Sequence, residues 1–177
     1  PVKLTTDLSK LSENEKELLP ILIEAAKIMD GLFWEEAYPD ALRVDESNLN
    51  PDARAFLNVN YGPWDRLDGN APFISGVDEK PAGAGFYPLD MSKSEFETFD
   101  DPNKADLYTL VRRGEDGQLS TLPYHVAFAE EVERASSLLK QAAELTEDES
   151  LKRYLNLGAA GIPVDIVFEQ GVEVLGL

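Results

Sequence analysis

Apolar positions recur at helical spacing in two stretches of the chain. Leu18, Leu22, Ala25, Met29 and Leu32 follow at steps of four and three, with Ile21 and Ile28 widening the stripe, which predicts a helix reaching about Glu36. Ser12-x-x-Glu15 in front of it is a capping box, in which each side chain serves the other residue's free backbone N–H. Pro20 lies too deep for a first turn, so it predicts either a kink or a true start nearer Leu18 or Leu19. Pro39 ends this helix. The second stripe is Tyr124, Phe128, Val132, Ala135, Leu139, Ala142 and Leu145. With Pro123 in its first turn, it predicts the longest helix, packed against the first one. A third helix, about Glu147 to Leu157, begins with acidic residues suited to the positive end of its dipole and is closed by Gly158 and Gly161.

Between these stripes the pattern changes period. Residues 40–53 read as a polar connection, followed by a helical turn near Asp52 to Leu57. Ser92-x-x-Glu95 is a second capping box and predicts a short helix, Lys93 to Thr98, stopped by Asp100-Asp101-Pro102. Leu107 to Val111 and Gln118 to Leu122 flank Glu115-Asp116-Gly117 and predict a hairpin, which must lie on helices or pair with another strand to be stable. Val164 to Phe168 and Val172 to Leu175 around Glu169-Gln170-Gly171 predict a terminal hairpin. The fold expected is mainly α (α+β): one domain over residues 1–177, helical, with one or two short β-hairpins and a long ordered loop.

That loop spans Leu57 to Pro88 and joins Tyr61, Trp64, Phe73, Phe86 and Tyr87 to a run of Pro and Gly. It is too turn-rich for an ordinary helix and too aromatic for a disordered linker. Either it plugs a helical core or it presents a groove, in which case Asn60, Tyr61, Trp64, Arg66 and Asp68 are the candidate ligand-binding residues. Full burial of Trp64 favours the first; a cavity bordered by Trp64 and Arg66 favours the second.

Charge narrows the function. In 177 residues, 34 acidic side chains against 16 basic ones leave a formal charge of -18, which disfavours nucleic acid and anionic membrane surfaces as partners. No apolar run is long enough to cross a bilayer, and the first ten residues hold no apolar signal core. Cytoplasm is one compartment consistent with this, and periplasm or the exterior after signal removal is another. Asp100-Asp101 and Glu147-Asp148-Glu149 lack calcium-loop spacing and read as solvated faces. The chain has no cysteine and one histidine, His125, so no metal ligands or catalytic residues are assigned and no cofactor is expected. Lys80-Pro81-Ala82-Gly83-Ala84-Gly85 is Gly-rich but is not a phosphate loop, and Asp65 with Asp68 is a weak acid–base pair in so acidic a chain.

NVNYGPWDRLDGNAPF, EKPAGAGFYPLDMSKSEFE, LYTLVRRGEDGQL and LPYHVAFAEEVERASSLLKQAAEL, with SLKRYLNL, resemble in order the N-terminal region of bacterial members of the dipeptidyl peptidase III family of zinc peptidases. The resemblance covers about residues 49–157, and residues 158–177 diverge. It implies a non-catalytic part of the substrate-cleft body, with the family's zinc held elsewhere on a His-Glu-x-x-x-His helix that is not matched here. Zinc is thus implied only for full-length family members, and peptide or the missing catalytic lobe are the partners implied. Asp165-Ile166-Val167 is similar to the opening of a family strand that leads to a peptide-binding Glu-x-Tyr, but Glu169-Gln170-Gly171 departs from that motif. The alternative, of a different class, is a free-standing binding module for a small molecule or protein built on the 57–88 loop. A third class, a carboxylate-dependent hydrolase, requires two close acids with displaced pKa values in a cleft.

Overall fold

A computed structural model describes Lys3 and residues 5–162; the predicted terminal hairpin lies outside them. Six α-helices are present among the described residues: α1 (Glu13–Ala37), α2 (Pro51–Asn60), α3 (Lys93–Thr98), α4 (Tyr124–Ala127), α5 (Ala129–Leu145) and α6 (Glu149–Gly161). Strands β1 (Trp64–Asp65) and β2 (Ala71–Pro72) form one antiparallel pair, and β3 (Thr109–Arg113) and β4 (Leu119–Pro123) form another. A mainly α fold with two small hairpins is therefore the observed class. The chain packs as two units, Pro1–Asp30 with Phe128–Leu177, and Gly31–Ala127.

In the first unit, Ser12 and Glu15 make the reciprocal capping box, with Ser12 N–H donating to Glu15 Oε2 at 2.7 Å and Glu15 N–H to Ser12 Oγ at 3.2 Å. That fixes the start of α1 at Glu13. Pro20 is carried inside the helix, and the alternative start near Leu18 is not used. Leu18 is buried with Ala142, Ala143 and Leu155, and Ile21, Leu22, Leu139, Leu145 and Leu151 close around them. The Leu18–Leu22 part of the α1 stripe thus packs on α5, as predicted, and on α6. Ala135, Ala142, Ala143 and Ala159 are all essentially inaccessible. Such small side chains let α5 and α6 approach closely enough for Ser136 Oγ to donate to the Ala159 carbonyl at 2.6 Å. Gly158 does not close α6. It lies within the helix, where a Cβ would come into contact with Leu139 at 3.6 Å. The helix runs on to Gly161, and its N-terminus is capped by Asp148, whose Oδ1 accepts from the N–H groups of Ser150 and Leu151.

The predicted longest helix is in fact two. Pro123 pairs with Thr109 as the last residue of β4, and Phe128, at φ -122° and ψ 40°, separates α4 from α5. An edge strand tolerates Pro as readily as a helix N-terminus does, and the sheet claims it here. The β3–β4 hairpin itself matches its prediction, turning through Gly114–Gln118, with Leu110 and Val111 fully buried.

In the second unit, the end of α1 meets the aromatic stretch. Tyr38 is 1% exposed and Trp64 3% exposed, and their rings meet edge to face at 5.6 Å and 90°. Tyr38 Oη accepts from Val44 N–H at 2.7 Å, and Trp64 Nε1 donates to the Asp78 carbonyl at 2.9 Å. Both polar tips are therefore satisfied inside an apolar cluster with Leu57, Trp34 and Phe73. The first residues of the predicted loop are not loop at all. Asn50 caps α2 through Ala53 N–H, and the helix runs on to Asn60 before Tyr61 stops it in the left-handed conformation, φ 51°. Gly62 follows at φ +135°, where a Cβ would come 3.1 Å from the Trp64 ring. Only the bare backbone fits there.

The 81–87 segment is held by two devices. Arg112 Nη1 donates to the Gly85 and Phe86 carbonyls at 3.1 and 3.3 Å, tying the 3-10 turn Ala84–Phe86 to β3. Gly85 lies against the last turn of α1 so closely that a Cβ would collide with the Glu35 carbonyl and come 2.9 Å from that of Glu36. Farther on, Ser92 caps α3 through Glu95 N–H, while the Glu95 carboxylate takes Arg113 in a two-pronged pair at 2.6 and 3.0 Å. Arg113 holds the Glu95 carboxyl below the usual carboxylate range.

Two substitutions separate packing from backbone fit. Trp64→Ala removes a buried indole and is expected to cost roughly 3–5 kcal/mol in urea unfolding. Gly85→Ala drives a methyl into carbonyl oxygens and is expected to cost roughly 1–3 kcal/mol. In both, the unfolding midpoint should fall with little change in slope.

Candidate functional site

Burying Trp64 decides where its neighbours go. Leaving β1, the chain turns through Arg66–Asn70, with Asp68 and Asn70 N–H donating to the Asp65 carbonyl and Ala71 N–H to that of Asp68. Asn60 is buried at the end of α2. Its Oδ1 accepts from Arg66 N–H at 3.0 Å, and its amide donates to the Phe56 carbonyl, so both ends of the side chain are spent on structure. The Arg66 side chain is left at the surface, with its guanidinium carbon 5.2 Å from the Phe33 ring centroid and 5.8 Å from that of Tyr61.

Arg66 borders a cleft of about 840 Å³ lying wholly within the second unit. Phe33, Glu36 and Ala37 line it from α1, residues 69–72 from the first hairpin, and residues 79–84 with Phe86 from the following segment. Two cations and two acids reach it: Arg66, Lys80, Glu36 and Glu79. Lys80 Nζ stands 5.6 Å from the Trp64 ring centroid. Its pKa is pushed below the ordinary lysine value, first by burial and then by the charge of Arg66. Burial pushes the Glu36 carboxyl up, while a hydrogen bond from the Tyr124 hydroxyl acts in the opposite sense. The Pro81–Ala84 wall also borders a second cavity of about 440 Å³, lined on its far side by Tyr87, Met91 and Phe96.

Of the five candidate residues, only Arg66 lines the main cleft. Trp64 is core and forms the ring beneath Lys80, Asn60 is a buried tie, and Tyr61 packs its ring on Phe33 and Trp34 at centroid distances of 4.7 and 4.9 Å. Asp68 lies exposed in the hairpin turn. Its partner in the suspected acid pair, Asp65, uses Oδ1 to accept from Leu67 N–H. Glu36 and Lys80 were missed as cleft residues. Glu36 reads as the polar end of an amphipathic helix, and only the fold brings Lys80 over an indole. His125 is half-buried in α4.

A hydrolytic zinc takes three protein ligands. With one histidine and no cysteine in the chain, and no group of three His, Cys, Asp or Glu side chains among the described residues arranged to hold a metal, the donor set does not fit that ion. Among the described residues no helix is long and apolar enough to cross a membrane.

The chain is similar to the dipeptidyl peptidase III of Caldithrix abyssi, at 34% identity and a TM-score of 0.83 over 96% of this chain and 34% of that one. It is likewise similar to dipeptidyl-peptidase III from Corallococcus sp. strain EGB, at 35% identity and a TM-score of 0.79 over 93% and 33%. The resemblance read from the sequence is therefore shown, as likeness to an N-terminal partial region of these bacterial proteins. Nudix hydrolase 3 of Arabidopsis thaliana matches at 25% identity over 239 residues, covering all of this chain and 31% of that protein. That alignment is longer than the chain and so is interrupted by gaps. No family model matches. The chain spans about a third of the length of each of these relatives.

The half-buried Glu36 generates a pH prediction. Its folded pKa lies above its unfolded value, so its contribution to stability is fully present below the unfolded pKa and is lost as pH rises through the folded one. Glu36→Gln keeps an acceptor for the Tyr124 hydroxyl without the buried charge. It should melt higher than the parent at about pH 7, and the margin should vanish near about pH 4.

Proposed function

We propose that this chain is a non-catalytic part of a dipeptidyl peptidase III-like zinc peptidase, contributing to the body of the substrate cleft while another polypeptide segment supplies the zinc-binding lobe. The likeness over 96% of this chain but only 34% of the Caldithrix abyssi protein carries the reading. The donor inventory supports it. One imidazole and no thiol leave too few ligands for a metal that must activate water. In this reading the natural partners are the catalytic lobe and, through it, peptide.

A second reading has one observation in its favour. The cleft bordered by Arg66 is lined mostly by the 57–88 stretch, as a free-standing binding module would require. The burial of Trp64 counts against the indole itself being a contact surface.

The test is zinc content and dipeptidyl-arylamide cleavage by the isolated chain after incubation with zinc. The expected result is substoichiometric metal and no turnover above buffer. About one zinc per chain accompanied by cleavage would overturn the assignment.

A further inference from the structure

Arg66 and Lys80 are the two cations that line the cleft. Arg43 and Arg113 each hold two carboxylates and Arg134 holds one, while Arg54, Lys104 and Arg112 donate to backbone carbonyls. Among the described residues, neither Arg66 nor Lys80 has a carboxylate partner, although the chain carries 34 acids. Both lie over aromatic faces instead, at 5.2 Å from Phe33 and 5.6 Å from Trp64. A ring under a guanidinium engages its flat face and leaves the N–H donors in its plane available. Two cations bordering one cleft also repel.

Much of the remaining lining is apolar, beside Glu36, Asn70 and Glu79. Phe33, Ala37, Pro72 and Phe86 border a space large enough for a small organic body. We propose that this cleft binds a small organic monocarboxylate, its anionic head taken by Arg66 and Lys80 and its apolar body by Phe33, Pro72 and Phe86. A guanidinium offers a carboxylate two parallel hydrogen bonds, and the ammonium adds a point charge. Glu36 and Glu79 border the same cleft, and the whole chain carries -18. That field favours a singly charged head over a phosphate dianion.

The probe is 3-phenylpropionate, titrated into the isotope-labelled chain and followed by amide chemical shifts. Its neutral amide and phenyl phosphate serve as comparisons. Saturable shifts centred on Phe33, Arg66 and Lys80 are expected, with the neutral amide weaker by about tenfold or more. Arg66→Gln and Lys80→Gln should each weaken the acid about fivefold or more, with spectral dispersion unchanged because neither side chain is core. Equal binding of acid and amide, shifts centred elsewhere, unchanged affinity in both variants, or tighter binding of phenyl phosphate would each overturn the proposal. Absence of saturable binding by the parent chain would overturn it as well. The acid-against-amide comparison needs no variant, so a misfolded substitution cannot decide the matter. Zinc and peptide cleavage do not enter these readouts, which stand apart from the peptidase reading.

Discussion

The edge-to-face contact between Tyr38 and Trp64 sets the layout of the second unit. Each ring is large, nearly inaccessible and polar at one end, and each polar end has one partner, Val44 N–H or the Asp78 carbonyl. Those two hydrogen bonds reach into different loops, so one aromatic pair orders both the connection after α1 and the segment after the first hairpin. An indole buried with its N–H unsatisfied would cost about as much as the ring contact gains. The register is therefore fixed by polar satisfaction as much as by apolar area. Gly62 belongs to the same constraint, since any side chain there would meet the Trp64 ring.

The cleft is a by-product of that packing. With Trp64 turned inward and Arg66 N–H held by Asn60, the Arg66 side chain is left on the outer side, over Phe33. The Gly85 contact with α1 and the Arg112 clamp on its carbonyl hold the opposite wall, which brings Lys80 over the other side of the site. A position read as a ligand-binding aromatic in the sequence thus acts indirectly. It supplies the ring beneath a cation, and the cation faces the cleft.

What the sequence disclosed and what it withheld follow from the range of the interactions involved. The Ser12 box, the Lys93–Thr98 helix and the β3–β4 hairpin rest on contacts a few residues apart, and all were legible. The α1 stripe was legible too, because 3.6-residue periodicity survives whatever it packs against. Pro123 was misread because its fixed φ suits a helix N-terminus and an edge strand alike, and the choice came from pairing with Thr109. Gly158 reads as a stop because glycine favours helix C-termini, whereas the helix continues through it to Gly161. Of the candidate site, Arg66 was visible as a cation amid aromatics, whereas Lys80 and Glu36 join it only through tertiary contacts.

Net charge and local charge pull in opposite directions in this molecule. A chain of -18 repels anions at long range, and at physiological salt that repulsion fades within about 8 Å. Inside a cleft walled by Phe33, Pro72 and Phe86, screening is weaker and the nearest charges dominate. There, among the described residues, the two nearest cations are not compensated by an ion pair, while of the two acids in the lining Glu36 resists ionisation because it is partly buried. The raised Glu36 pKa and the lowered Lys80 pKa share burial as their first cause. A desolvated cleft makes each of its own charges costly, and an opposite charge brought in from outside relieves the cations most. In so acidic a chain, the anion selectivity proposed for this cleft would come from geometry: Arg66 and Lys80 rest on the Phe33 and Trp64 rings, and neither makes an ion pair among the described residues.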